Sequence, residues 1–301
     1  MHNLHLKFNK ILALVKDTLQ NHLDKTGNVP KVGANPKFSD AKVIALSLMA
    51  ECLMIDSENY LFKILHSQHK QHFPNLISRS AYNRRRRRLL TQTTYLRQQL
   101  VEKLIPWEDT FVVDSMPLPI SQFARAKRTR ICKESYETAP DFGFCAAQQI
   151  TYFGYKLHSI CSIDGVVSSF DLSPASVADI HYLQDIRSRY PGCLLLGDKA
   201  YLNHELQLEL FETNRLKLHT PMRRNQKDYV RQPALFRKVR KRIETAFSQL
   251  CDQFNMQRNY AKTFEGLMTR IIAKISGFTL LQYLNKFEFN NKLNHVKHAL
   301  I

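Results

Sequence analysis

Two short apolar runs, "TFVVDS" at residues 110–115 and "GCLLLGDKAYLN" at 192–203, each deliver an aspartate where the apolar residues stop: Asp114 and Asp198. Short apolar runs bounded by turn chemistry read as buried strands. Two such runs ending alike constrain the chain to a sheet with acid at the carboxyl ends of its strands, where ligands gather in α/β folds. Taken alone, Gly197-Asp198 is ordinary turn chemistry. The rest of the chain decides between a turn and a site.

The first hundred residues are helical in pattern. Ile11, Leu12, Leu14, Val15 and Leu19 line one side of "NKILALVKDTLQNHL". After the linker "TGNVPKVGANPKF", Ser39 can cap "SDAKVIALSLMAECLMI", which is apolar on most faces and so expected inside a small bundle. Beyond "TFVVDS" comes a polar, basic insertion, then two strand-like runs joined by Asp164-Gly165, a hairpin signal. A helix-like "SVADIHYLQDIRSRY" leads to the Asp198 run, and an amphipathic helix, a strand "RLKLHTPM" and a long helix "LFRKVRKRIETAFSQLCDQF" follow. This order predicts an α/β mixed sheet flanked by helices, preceded by an all-α region. "LMTRIIAKISGFTLLQYL" suits either a core helix or a subunit contact.

The chain has 301 residues, 44% of them hydrophobic, enough for a sizeable core, and 44 Lys+Arg against 26 Asp+Glu give a net charge of +18. Such an excess is the footprint of a nucleic-acid binder. Six scattered cysteines, with no Cys-x-x-Cys pair, argue against a zinc module or a disulfide framework and for reduced thiols in a cytosolic protein. No apolar stretch approaches the ~18–20 residues of a membrane helix or forms a signal-peptide core, so a soluble protein that is not exported is expected.

The charge is clustered. In "SRSAYNRRRRRLL", Ser78 or Ser80 can cap a helix around which Arg84, Arg85, Arg86, Arg87 and Arg88 wrap. Five contiguous arginines repel one another unless something anionic is near, and a DNA phosphate backbone is the expected partner. A solvated charged helix is the bland alternative.

Two divalent metals would need a third carboxylate. Glu244 is the candidate: Ile243, Ala246, Phe247, Leu250 and Phe254 form the apolar stripe of its helix, and Glu244 flanks that stripe with Arg240 one turn away. An exposed Glu244–Arg240 pair is the alternative. Asp164 reads as a turn residue, and Asp171, Asp179 and His181 are weaker candidates.

The series "VVDSMPLPI", "YFGYKLHSI", "LLLGDKAYLN" and "RKRIETAFSQL", in this order over roughly residues 108–280, resembles the Asp-Asp-Glu (DDE) transposases of bacterial insertion sequences, with insertion-sequence family 982 the nearest pattern. The resemblance implies a ribonuclease-H-like fold with Asp114 on the first strand, Asp198 after the fourth and Glu244 on a later helix. Arg240 and Glu244 match the related Arg-x-x-x-Glu signature. The lysine that many relatives carry two turns after the glutamate is absent, since Leu250 and Cys251 stand there.

Under this resemblance Asp114, Asp198 and Glu244 are catalytic residues holding two Mg²⁺ ions, for which Mn²⁺ substitutes. The implied partners are the element's terminal inverted repeats and target DNA, bound by a homodimer and contacted by Arg84–Arg88, by Lys199, Tyr201, Arg240 and Lys241, and by Arg125, Lys127, Arg128 and Arg130 of the insertion. Expected boundaries are 1–105 for a DNA-binding region, 106–285 for the catalytic domain and 286–301 for a tail, in a bacterial cytoplasmic protein associated with the nucleoid through DNA. A catalytically silent DNA binder, such as a repressor or domesticated transposase, and a ribonuclease-H-like nuclease without strand transfer are the other readings.

Overall fold

A computed structural model describes residues 3–223, 225–226 and 229–298. Its helices are α1 (Leu4–Thr18), α2 (Asp40–Cys52), α3 (Glu58–Gln68), α4 (Arg79–Arg88), α5 (Leu90–Leu104), α6 (Tyr182–Ile186), α7 (His204–Asn214), α8 (Ala234–Phe254) and α9 (Phe264–Phe287). Its strands are β1 (Thr110–Pro119), β2 (Asp141–Cys145), β3 (Ile150–Ser162), β4 (Val167–Pro174), β5 (Leu194–Leu196) and β6 (Lys217–His219). The chain forms two compact units: Met1–Leu104 with Asp252–Met256 and Glu265–Ile301, and Ile105–Cys251 with Gln257–Phe264.

In the helical unit, Ser39 caps α2 by accepting the Lys42 N–H, and α2 is buried on nearly every face, as its unbroken apolar pattern requires. The apolar stretch near the carboxyl end is a core helix: along α9, residues from Leu267 to Leu284 are buried on all sides. Among them is a charge, Lys274, 1% exposed. Its Nζ lies 3.2 Å from Glu51 and 3.0 Å from Asp56, and donates to the Phe254 carbonyl.

Ser78 caps α4, but the arginine run is not uniformly turned to solvent. Arg85 pairs with Asp40 and donates to the Phe38 carbonyl. Arg86 is buried between Glu51 at 3.3 Å and Glu58 at 3.0 Å, and Arg87 reaches Glu265 at 3.2 Å. The expectation that the entire run meets phosphate therefore fails for Arg85 and Arg86. The anions that relieve their mutual repulsion belong to this unit itself, and a buried guanidinium must be paired. Arg84 and Arg88 are exposed and, four residues apart, share one face of α4.

The second unit is built on a ribonuclease-H-like mixed sheet in the order β2-β3-β1-β5-β6, with β4 also paired to β3. β1 runs antiparallel to β3 and parallel to β5, and β5 runs parallel to β6. Alternation along β1 sends Phe111 and Val113 into a core with Ile160, Tyr182, Leu183, Leu195, Tyr201 and Leu206, so Asp114 emerges on the other face. Gly154 of "YFGYK" is required by packing, because a Cβ there would stand 2.2 Å from the Leu118 carbonyl of β1.

Three local expectations change. The insertion contributes an edge strand, β2, so Asp198 follows the fifth strand and not the fourth. β1 continues five residues past Asp114, held by β3; what stops near Asp114 is its parallel pairing with β5. The stretch "SVADIHYLQDIRSRY" is not one helix but a 3-10 turn (Asp179–His181), the short α6 and a second 3-10 turn (Arg187–Arg189). Among the described residues, no helix is long and apolar enough to cross a membrane. The six cysteines are free.

Candidate active site

The parallel register matches Thr110 to Leu194, Phe111 to Leu195 and Val112 to Leu196. Val112–Leu196 is its last pair, so Asp114 and Asp198 each lie two residues beyond it, close enough for the Asp198 charge to act on the Asp114 carboxyl. Two carboxylates brought together in this way repel. Burial pushes the Asp114 carboxyl up to about 7; the Ser115 N–H, donating at 2.8 Å, opposes the rise, the Asp198 charge adds to it, and the Arg240 guanidinium opposes it.

The residues after β5 explain why Gly precedes Asp198. The chain turns at once into a 3-10 turn, Lys199–Tyr201, which Asp198 caps by accepting the Ala200 N–H at 2.7 Å. This folds Tyr201 back over Gly197, where an added Cβ would meet the Tyr201 ring at 3.2 Å. Tyr201 is 0% exposed, so it belongs to the core and cannot take the DNA contact expected of it. Its packing explains why an aromatic stands there: the ring fills the corner between the aspartate turn and α6, with Leu183 and Leu206 as neighbours. Lys199 is exposed.

α8 supplies the other charges. Ile243, Ala246, Phe247 and Leu250 are buried as their spacing predicts, Lys241 and Glu244 are exposed, and Arg240 is half-buried close enough to act on Asp114. The Arg240 Nε has no hydrogen-bond partner among the described residues. Glu244 stands one turn beyond Arg240, yet no group of three His, Cys, Asp or Glu side chains converges at metal-holding spacing among the described residues. The structure thus brings Asp114 and Asp198 near one another and leaves Glu244 exposed and outside any such group. The donors suit a hard divalent cation, being carboxylate oxygens: Asp114 is raised first by burial and further by the Asp198 charge.

Arg125, Lys127, Arg128 and Arg130 are exposed on the insertion. Three residues that the sequence left weak or unmarked gather near the aspartates. Lys156 of β3 lies 3.0 Å from Asp179, and His158, 2% exposed, faces the same carboxylate at 4.0 Å and shares a hydrogen bond with Ser173 Oγ at 2.8 Å. Burial holds the His158 imidazole down to about 4, so it is neutral. A signal existed in "YFGYKLHSI": alternation puts Lys156, His158 and Ile160 on one face of an otherwise apolar strand.

A comparison with curated proteins finds no match. The family model described as "Transposase DDE domain" matches residues 106–276, more than half of the chain and nearly all of the sheet unit. With a ribonuclease-H-like sheet and paired aspartates at the carboxyl end of its parallel strands, the chain belongs to the transposases with a DDE domain.

Proposed function

We propose that this protein is an insertion-sequence transposase, of the pattern of family 982, that cuts the ends of its element and joins the freed 3′-hydroxyl to target DNA. The observation that carries the reading is that Asp114 and Asp198, each two residues past the last parallel pair, are close enough for the Asp198 charge to raise the buried Asp114 carboxyl, a repulsion left to a cation to relieve. Asp114, Asp198 and Glu244 would hold two divalent ions, Mg²⁺ with Mn²⁺ as a substitute. When bound, these ions supply Lewis acidity at the scissile phosphate.

The chain's own residues do the rest. Arg240, whose charge acts on Asp114, would donate to a phosphate oxygen as charge builds there. Exposed Lys199 and Lys241 and the insertion's cations would orient the backbone on the sheet unit, and Arg84 and Arg88 would contact phosphates on the helical unit. A first attack by water frees the 3′-hydroxyl. That hydroxyl then attacks target DNA at the same site, with no covalent protein–DNA link. Two ends must be joined, so the working form is a dimer on DNA, in the cytoplasm of a bacterium.

The test is divalent-dependent nicking of duplexes carrying the element's own flanking ends, with wild type and Asp198→Ala in parallel. Wild type should release a 3′-hydroxyl and join it to target, while the variant binds and does neither. Binding without cutting by both proteins, in Mg²⁺ and in Mn²⁺, returns Gly197-Asp198 to an ordinary turn and makes the protein a DNA binder.

A further inference from the structure

We infer that Asp179, Lys156 and Tyr201 are positioning residues for the aspartate pair, acting through the 198–201 turn; the inference rests on the reading of Asp114 and Asp198 above. The 3-10 turn Asp179–His181 packs on the 3-10 turn Lys199–Tyr201. Tyr201 is wholly enclosed, its ring seated on Gly197 and its hydroxyl without a hydrogen-bond partner among the described residues. A buried hydroxyl in that state is costly and is retained where it serves a neighbour. Its neighbours are acidic: after burial itself, the Asp179 charge acts most strongly on it, followed by Asp114 and Asp198.

Asp179 is in turn anchored. Lys156 Nζ pairs with its Oδ1 at 3.0 Å and donates to the Val177 carbonyl at 2.9 Å, so the lysine is tied to the segment that carries Asp179. Lys156 sits opposite Pro117 on β1, three residues along from Asp114. One path of contacts therefore runs from β3, beside the Asp114 strand, through Asp179 and Tyr201 to the turn bearing Asp198. Apolar residues of similar volume could have braced the turn with less desolvation. A carboxylate and a phenol close to Asp114 and Asp198 also set the local charge, which matters to where Asp198 points.

The test uses the full chain and the variants Tyr201→Phe, Asp179→Asn and Lys156→Met. Two readouts are taken: the rise in melting temperature on titrating Mn²⁺, and kcat and KM for nicking of the flanking-end duplex. Tyr201→Phe removes one oxygen and keeps the ring, so it remains informative if a charge variant does not fold. Expected are a several-fold weaker Mn²⁺ response and a kcat at least tenfold lower with KM for DNA unchanged, in Asp179→Asn and, to a lesser degree, in Tyr201→Phe. Variants that melt earlier but keep the wild-type Mn²⁺ response and kcat would show a merely structural brace and overturn the inference. If Asp198→Ala keeps the Mn²⁺ response and any nicking, the reading of the aspartate pair fails first, a result distinct from intact dependence on Asp198 with indifference to Asp179.

Discussion

Replacing Lys274 with methionine tests whether the buried charges of the helical unit stabilise it. The ammonium lies between Glu51 at 3.2 Å and Asp56 at 3.0 Å and donates to the Phe254 carbonyl. Methionine keeps the volume, so no cavity term arises. Removing one partner of a buried ion pair costs about 3–5 kcal/mol, because the other charge is stranded. Here neither acid is wholly stranded: Glu51 keeps Arg86 at 3.3 Å, and Asp56 keeps Arg270. The ionic part belongs at the low end, about 3 kcal/mol, and the carbonyl left unpaired adds about 1 kcal/mol. At about 2–4 °C per kcal/mol for a unit of this size, the melting temperature should fall by about 8–16 °C. Urea unfolding followed by far-ultraviolet circular dichroism reports on the helices, while near-ultraviolet circular dichroism of the buried tyrosines Tyr155, Tyr182 and Tyr201 reports on the sheet unit that contains them. The helical transition should move and the tyrosine transition much less. Adding Glu51→Gln should recover part of the loss, since it removes one of the two acids that Lys274 no longer neutralises, while Arg86 keeps Glu58. A Lys274→Met protein as stable as wild type, or more so, would refute the reasoning and show that desolvation of this network outweighs its attraction.

Other outcomes follow from the same structure. Arg86→Ala should destabilise by about 3–5 kcal/mol in thermal melts, for the reason given for Lys274, whereas Arg84→Ala with Arg88→Ala should leave the melt unchanged and weaken DNA binding. Neutralising Arg125, Lys127, Arg128 and Arg130 together should reduce the slope of log K against log salt by up to about 3.6, at about 0.9 per phosphate contact; an unchanged slope would remove the insertion from the DNA interface. His158 is neutral in the fold and held down to about 4. Its contribution is therefore present above its unfolded value near 6.5 and is lost as pH falls through the interval between them, a fall in stability that His158→Gln should flatten. In chelator, Asp114 has the opposite sign: its carboxyl is raised to about 7 from 3.8, so the folded chain binds the extra proton and stability falls as pH rises through that window. Asp114→Asn should accordingly melt above wild type at pH 8, and equal or lower melting there would contradict the buried, repelled carboxylate.

Much of the fold was legible in local pattern, because period and caps are properties of neighbouring residues. Ser39 and Ser78 cap the helices they precede, Asp164-Gly165 turns the β3–β4 hairpin, and the apolar stripe of α8 is buried as spaced. The strand β2 was not legible: "DFGFC" lies in a polar, basic stretch, and it becomes a strand only because the first residues of β3 offer it a free edge. The site divides in the same way. That Asp114 and Asp198 end apolar runs could be read from the letters, while their adjacency depends on a parallel register between segments some eighty residues apart.

By itself, the sequence determined the excess of positive charge, the helical and sheet regions, and which carboxylates could face one another, since composition and periodicity are carried by the chain wherever it goes. Tertiary structure decided which charges are free to act. Arg85 and Arg86 are claimed by Asp40, Glu51 and Glu58, Tyr201 turns inward over Gly197, Lys274 is buried among acids, and Asp179 reaches the aspartate turn. The reason is the range of the interactions: a charge is satisfied by whatever opposite charge the fold brings within a few ångströms, and burial sets how strongly that partner is needed.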